Sequence, residues 1–330
     1  PTRRSSDLSA LHGPNSMFNI FRKSIENWQD VERLRFSLEW VYQPVGLWVD
    51  NVRTLAYWQD ASNASRNVST NPPIVTGLPP AWGIPYIEGR NRRQWIDFET
   101  KIYGVNSVAQ VTFADTPSLK NILHFGTDLS LENASNRFDR VETRGIVNFP
   151  NADVQTILSD RISFAPSETY RGALFFQNDI TFNDRWDISP GVRLDYYEIK
   201  ADISDQYLSR LTNSLPGAEI PDEVLPQEGT GYDNLAVSPS IDFAFRPTDD
   251  SRVYVGYAMS TRNPTAEELT MVFDHPSGDY SQLTVPNTGL DPETSHAFKI
   301  GYKIENDRGR FGIETRSEEH TSELQSHHPI

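Results

Sequence analysis

Apolar and polar residues alternate one by one through much of the chain. Trp186, Ile188, Val192, Leu194 and Tyr196 fall on one parity, and Asp187, Ser189, Arg193 and Asp195 on the other. A β-strand points residues i and i+2 to the same side, so the segment is predicted as a two-faced strand. The split recurs at Val237, Ile241, Phe243 and Phe245 against Ser238, Ser240, Asp242 and Arg246. It recurs again at Phe298, Ile300, Tyr302 and Ile304 against Lys299, Lys303 and Glu305, and at Leu34, Phe36, Leu38, Trp40 and Tyr42 against Arg35, Ser37 and Glu39. Residues 96–102, 123–131 and 253–259 follow the same rule, and residues 47–58 follow it less cleanly.

Connections alternate in length. Gln43-Pro44-Val45-Gly46, Asn183-Asp184-Arg185, Pro247-Thr248-Asp249-Asp250 and Asn306-Asp307-Arg308-Gly309 are predicted tight turns. Between the hairpins stand long polar stretches at 62–92, 133–169, 201–234 and 261–295. Short turns at one rim and long loops at the other describe an outer-membrane barrel, whose tilted strands need about 9–11 residues each. The pattern predicts an all-β fold: part of an antiparallel transmembrane β-barrel, roughly ten strands of a larger barrel. Trp40, Tyr42, Trp48, Trp58, Trp186, Tyr196 and Tyr197 cluster near predicted strand ends, as interfacial girdles do. A soluble sandwich or lipocalin-like barrel also alternates, but its loops are modest at both ends. Four long loops are unusual in a compact soluble domain.

Composition narrows the class. Aromatics make up 11% of the 330 residues, too many for a disordered chain. No apolar run has the length of a transmembrane helix. A net charge of −15 disfavours a phosphate-backbone binder, and the absence of cysteine removes disulfides and thiolate metal sites. Neither Gly-x-Ser-x-Gly nor His-Glu-x-x-His is present, and the glycines at 229 and 231 do not complete a dinucleotide fingerprint, so no enzyme is predicted. No signal peptide is visible, which suggests that the true start lies upstream. Residues 1–8 and 316–330 resemble conceptual translations of short-read sequencing adapters, leaving 9–315 as the domain proper. On that reading the strand from Arg310 stops short near Arg316, both ends pack against nothing, and His320, His327 and His328 are not a metal-binding tail.

Several segments resemble the β-barrel domain of TonB-dependent receptors. Ser189-Pro190-Gly191-Val192-Arg193-Leu194-Asp195 resembles the family's Pro-Gly-x-Arg-x-Asp strand, with Phe176-Gln177-Asn178-Asp179 in the strand before it and Val237-Ser238-Pro239-Ser240 resembling a Ser-Pro strand start. Thr261-Arg262-Asn263-Pro264 resembles the Phe-Arg-Ala-Pro box. Pro286-Asn287-Thr288-Gly289-Leu290-Asp291-Pro292-Glu293 resembles the Asn-Pro-Asn-Leu box with its trailing Pro-Glu. Thr261, Asn263, Thr288 and Gly289 depart from the usual residues. The matches cover about residues 30–315. The family barrel has about 22 strands around a plug, so the resemblance implies roughly half a barrel, without the plug and its TonB-contacting segment.

The resemblance implies a receptor in the Gram-negative outer membrane, energised by the TonB complex through the plug, with outer-membrane lipid around it. It implies no prosthetic group and no nucleic-acid partner. The loop between the two boxes carries a histidine in haem and haemoglobin receptors, and here it carries His275, with Phe273 and Tyr280 nearby to cover a porphyrin face. Phe149-Pro150 also resembles that subgroup. Haem iron takes a neutral imidazole, so His275 is the expected axial ligand and haem, free or on a haem protein, the expected transported ligand. Siderophore and cobalamin receptors share the boxes, so a siderophore, cobalamin or glycan receptor remains an alternative, as does a non-transporting surface barrel or adhesin. His296 is a weaker candidate, and His124 reads as structural on a polar strand face. The motif residues Arg262, Pro264, Asn287, Leu290, Pro292 and Glu293 are expected chiefly to shape the backbone, although Arg262 and Glu293 could pair across the loop's base.

Overall fold

The computed structural model describes residues 2–5, 24–71, 86–148, 151–161, 164–204, 207–208, 230–271, 273–277, 280–284, 286–307 and 309–321. Its strands, in chain order, are β1 (Thr2–Ser5), β2 (Ser24–Tyr42), β3 (Asn51–Asn71), β4 (Tyr86–Thr116), β5 (Leu119–Asn148), β6 (Asn151–Arg161), β7 (Ser167–Phe182), β8 (Trp186–Ala201), β9 (Gly231–Thr248), β10 (Ser251–Arg262), β11 (Phe273–Ser277), β12 (Tyr280–Thr284), β13 (Glu293–Asn306) and β14 (Gly309–Thr321). A short helix, α1 (Ala266–Thr270), follows β10. Twelve strands form one antiparallel sheet. In it β2, β3, β4, β5, β7, β8, β9, β10, β13 and β14 lie in sequence order as a meander, with β1 outside β2 and β6 on the upper part of β5. The path is open among the described residues, and β11–β12 is a separate hairpin.

The two faces separate as the alternation requires. Trp186, Ile188, Val192, Leu194 and Tyr196 pair with Phe245, Phe243, Pro239, Val237 and Leu235, while Arg193 pairs with Ser238 and Asp195 with Ala236. Trp186 stacks on Phe245 at 4.1 Å between centroids, Phe36 on Trp58 at 5.7 Å, and Tyr257 meets Phe298 at 4.9 Å. The opposite face carries ion pairs: Arg171 to Glu132 at 2.9 Å, Arg193 to Asp195 at 2.7 Å and to Asp128 at 3.6 Å, Arg246 to Asp187 at 2.7 Å, and Lys299 to Asp242 at 2.7 Å. The apolar face is the uncovered one. Leu38 is 74% exposed, Ile300 54% and Leu174 51%. A soluble sheet hides that face in a core; a membrane barrel turns it to hydrocarbon.

The apolar band has the height of a membrane. Along β8 it begins at Trp186 and ends at Tyr196, beyond which the same face carries Glu198 and Lys200. That run is ~33 Å along the strand at ~3.3 Å per residue, and a ~45° tilt reduces it to ~23 Å, close to the ~25 Å band of outer-membrane barrels.

Several expectations need correction. The stretches 62–92 and 133–169 are not loops for most of their length. β3 runs to Asn71, and β4 and β5 span 31 and 30 residues, far beyond the membrane requirement. Above the band both faces meet water, so apolar alternation is no longer selected while backbone pairing continues. The connection after β2 occupies residues 43–50 rather than a four-residue turn, and its Trp48 reaches across β4 to stack on Phe125 at 6.0 Å. Tyr197 is not in the girdle: its neighbour Tyr196 faces out, so Tyr197 faces in, and it is buried. At the chain's end β14 continues past Arg316, pairing Arg316 with Lys299 and Thr321 with Thr294. β1 also pairs with β2, from Thr2 opposite Gln29 to Ser5 opposite Glu26. A sheet edge offers its N–H and C=O groups to any extended chain, whatever its side chains. Residues 309–320 are exposed throughout.

The tight turns follow local chemistry. Asn183 and Asp184 both have positive φ, 49° and 54°, the type I′ pattern, and the Arg185 N–H donates to the Phe182 carbonyl at 3.0 Å. Within the β7–β8 ladder, pairing lapses between Gln177↔Gly191 and Ile180↔Ile188, where Pro190 has no N–H to give. At Gly301 the facing Tyr254 ring lies across the space a Cβ would fill.

The face assignment makes a prediction. Val192→Arg, near mid-band on the apolar face, destabilises the barrel in lipid by ~2–4 kcal/mol, whereas Ser240→Arg on the polar face costs far less. Folding titrations of the receptor into lipid vesicles measure both. Equal costs would overturn the assignment.

Candidate functional site

The structure draws the two motif boxes into one assembly at the long-loop rim. β10 and β13 are neighbours, and Arg262 stands directly opposite Glu293 in their register. Arg262 Nη1 lies 3.4 Å from Glu293 Oε2, and Arg262 Nη2 also bonds the Glu268 carboxylate. The pairing therefore forms, alongside the backbone role expected of these residues. Asn263 Oδ1 accepts from the Tyr232 hydroxyl at 3.1 Å and from Asn234 Nδ2 at 2.7 Å. Pro264 and Pro286 are buried at the two ends of the connection. Asn287 Oδ1 accepts the Gly289 N–H at 3.1 Å, a side-chain-closed turn that carries the chain toward Leu290, Pro292 and β13.

Between the boxes the chain makes α1. Thr265 caps it: the Glu268 N–H donates to Thr265 Oγ1 at 3.2 Å, and the Thr265 N–H donates to Glu268 Oε2 at 2.8 Å. So short a helix is marginal without tertiary contacts. Ala266 and Leu269 supply them, packing on Tyr197 and Ile199 of β8 together with Tyr232 and the motif residue Leu290. Tyr197 and Ile199 belong to the polar, inward face, so α1 folds in over the mouth of the sheet.

Thr270 ends α1 and is completely buried. Its hydroxyl donates to the Ala266 carbonyl at 2.7 Å and accepts the Ala165 N–H at 3.0 Å. Its carbonyl accepts the Tyr207 hydroxyl at 2.6 Å. Tyr207 packs with Ala165 and Ile203, and burial pushes its phenol well above the ordinary range, so it stays a neutral donor. Next to Ala165, the Phe164 carbonyl accepts from Asn136 Nδ2 at 2.9 Å, and its ring meets Phe98 at 5.6 Å. Three connections far apart in sequence thus meet at one threonine. Sequence reading missed Thr270, Tyr207 and Ala165, because contacts between loops leave no periodic signal. The Thr265-x-x-Glu268 capping spacing was the available clue to α1.

The other sequence candidates fall as follows. His275 lies in β11, its backbone opposite Gln282 of β12; Phe273 is opposite Thr284 and Tyr280 opposite Ser277. Phe149, Pro150, His327 and His328 lie outside the described residues. His296 is opposite Met259, on the outward face, where Tyr257 OH and His296 Nδ1 are 3.0 Å apart. That position removes it from the inward side where the boxes meet. His124 is on the polar face, 3.4 Å from Asp179, in keeping with a structural role.

Ten sequential membrane-length strands, an uncovered apolar band and a polar inner face define a transmembrane β-barrel of the outer-membrane type. The sequence profile described as TonB dependent receptor-like, beta-barrel matches residues 2–315, and the chain belongs to that family. It is a family of outer-membrane transport receptors. Among solved structures the chain is similar to the copper transporter OprC at 11% identity, covering 91% of this chain and 46% of that one, with a TM-score of 0.39. It is also similar to a double mutant of the Serratia marcescens hemophore receptor HasR in complex with its hemophore HasA and heme, at 14% identity, covering 89% and 51%, with a TM-score of 0.35. The chain thus spans about half the length of these two structures. No curated protein matches it.

Two predictions follow from the rim assembly. Thr270→Val removes a buried hydroxyl and leaves the Ala165 N–H without its acceptor, at a cost of ~1–3 kcal/mol. Hydrogen exchange should then rise together in residues 164–166 and 265–271 while β8 stays protected; a rise confined to one segment would dissolve the three-way contact. The second concerns pH. Burial of Glu268 works to raise its pKa, but the Thr265 N–H and Arg262 outweigh it and hold the carboxyl below its usual 4.5. A depressed folded pKa stabilises above the unfolded value and is lost as pH falls through the folded one. Protection of α1 is therefore expected to be flat from neutral pH down to about 5 and to decline below the ordinary carboxylate range. Glu268→Gln should abolish that decline.

Proposed function

We propose that this barrel belongs to an outer-membrane receptor that takes up haem by a TonB-driven route, with His275 supplying one axial nitrogen to the haem iron. The observation that carries the reading is the register of β11 and β12. Phe273, His275 and Tyr280 occupy every second cross-strand pair, Phe273↔Thr284, His275↔Gln282 and Ser277↔Tyr280. Directly paired residues and residues two apart share a side of a β-ribbon, so these positions are ones that can present to a single ligand. The hairpin also follows α1 at once, and α1 is tied to the inward face of the rim. An imidazole with aromatic neighbours suits a flat, iron-bearing macrocycle, and the iron is cargo here, not a resident cofactor.

A transporter must release its ligand, so one histidine on a hairpin and a second ligand from elsewhere in the receptor suit the task better than a preformed closed site. The test uses the full-length receptor in outer membranes. His275→Ala is expected to change the haem absorption spectrum and to cut haem-dependent growth sharply, with receptor abundance unchanged. Unchanged coordination and growth would remove His275 as a ligand. Failure of the wild-type receptor to bind haem at all would move the reading to a siderophore, cobalamin or glycan ligand.

A further inference from the structure

The chain that descends beside β5 does so in two pieces. β6 pairs with residues 138–148 of β5 and β7 with residues 119–134, both antiparallel. Between them residues 162–166 stand opposite only residues 135–137, so the return strand carries two extra residues. The surplus turns inward: the Phe164 ring meets Phe98, and the Ala165 N–H reaches Thr270. β8 does not continue the wall above this point. It ends at Ala201 opposite Ser167, the Asp202 N–H donates to the Pro166 carbonyl at 2.7 Å, and the chain moves off to bury Ile203 and Tyr207 against Ala165. Among the described residues β6 therefore pairs with β5 alone, and its other edge is open from Asn151 to Arg161.

That edge stands clear of the membrane on the long-loop side, the extracellular side of an outer-membrane barrel. On β5 the outward apolar positions end at Leu131, opposite Tyr103 and Tyr170. Phe138, the first residue to face β6, is seven residues beyond Leu131, ~16 Å higher at ~3.3 Å per residue and a ~45° tilt. Edges in water are ordinarily blunted by Pro, Lys or a bulge. Residues 151–161 contain no Pro, Gly or Lys, and their ladder with β5 runs without a register shift. The charged residues Asp153, Asp160 and Arg161 fall near the ends, leaving Val154–Ser159 uncharged, with Val154, Thr156 and Ile157 β-branched as extended chain favours. The open row of groups dictates its own occupant. N–H donors and C=O acceptors recur every second residue, ~6.6 Å apart. A haem, a siderophore or a sugar presents no matching row; an extended polypeptide does, and pairs with it residue for residue. A second copy of this chain stands upright in the same membrane, so its β6 would descend alongside and pair in parallel, the weaker ladder. A partner from the medium can approach antiparallel.

We infer that the open edge of β6 is a docking strand for an extended segment of a protein outside the cell, bound by strand addition. The inference rests on the outer-membrane orientation of the receptor and not on haem as its cargo. The test is hydrogen exchange on the full-length receptor in mild detergent. The probe is a synthetic peptide with the sequence of residues 138–148, which β6 already accepts on its other edge. In the free receptor alternate amides of β6 are expected to exchange fast and the intervening ones slowly. The peptide should slow the fast set roughly tenfold, the equivalent of about 1.4 kcal/mol. Thr156→Pro and Ile157→Pro divide the two edges, because adjacent N–H groups of a strand point to opposite sides. One variant should loosen the β5–β6 hairpin; the other should leave it paired and lose the peptide, with heat-modifiable gel migration reporting a folded barrel. Slow exchange of every β6 amide in the free receptor would mean that its own chain or a second copy already covers the edge, and would overturn the inference. So would a peptide that gives no protection, or one whose binding survives both prolines. His275→Ala tests the haem reading separately, so failure here leaves that reading untouched.

Discussion

The backbone ladder holds this sheet together almost unaided. Among the described residues no layer covers the apolar face, and the two clusters of buried side chains are small and gather at the long-loop rim. In hydrocarbon an unpaired N–H or C=O has no water to turn to, so every spanning residue must be satisfied by its neighbouring strands. That constraint explains the strict sequence order of the meander and the short turns at one rim. It also explains why the interruption at Pro190 is local: pairing resumes on both sides of it in the same register.

Once the ladder sets the faces, the side chains divide by solvent. The inward face collects the arginines and carboxylates, each ion pair at least partly exposed and worth little individually. Their role is to keep one face wettable while the other meets lipid. Tyr254 lying over Gly301 serves the same surface in another way, filling a position where a larger residue would displace the ring.

Period-two alternation made the ten spanning strands legible, along with the opposite faces of Arg193 and Leu194 and the rim of short turns, because lipid on one side and polar residues on the other impose it directly. The extensions of β3, β4 and β5 were illegible because water on both faces removes that selection, leaving polar sequence that looks like loop. Tyr197 was misread for a related reason: its aromatic character suggested a girdle, while its parity, opposite to Tyr196, already placed it inward. The motif boxes were found by resemblance, and their geometry then gave Arg262 two acidic partners. Thr270 and Tyr207 could not be found, since their meaning lies in contacts across residues 165, 207 and 270, which no local pattern records.

The rim assembly gives the motif residues a physical task. Pro264 and Pro286 are buried where the connection leaves and rejoins the barrel, Leu290 packs against the α1 cluster, and Arg262 spans Glu268 and Glu293. None of these contacts needs a transported ligand. Together they fix the base from which β11 and β12 project, starting two residues beyond the α1 cap at Met271. A hairpin on a fixed base loses less freedom on meeting a ligand than one on a slack loop, which raises affinity without adding a contact. The motif residues therefore hold the base of the loop through contacts of their own, independent of whatever the residues between them meet.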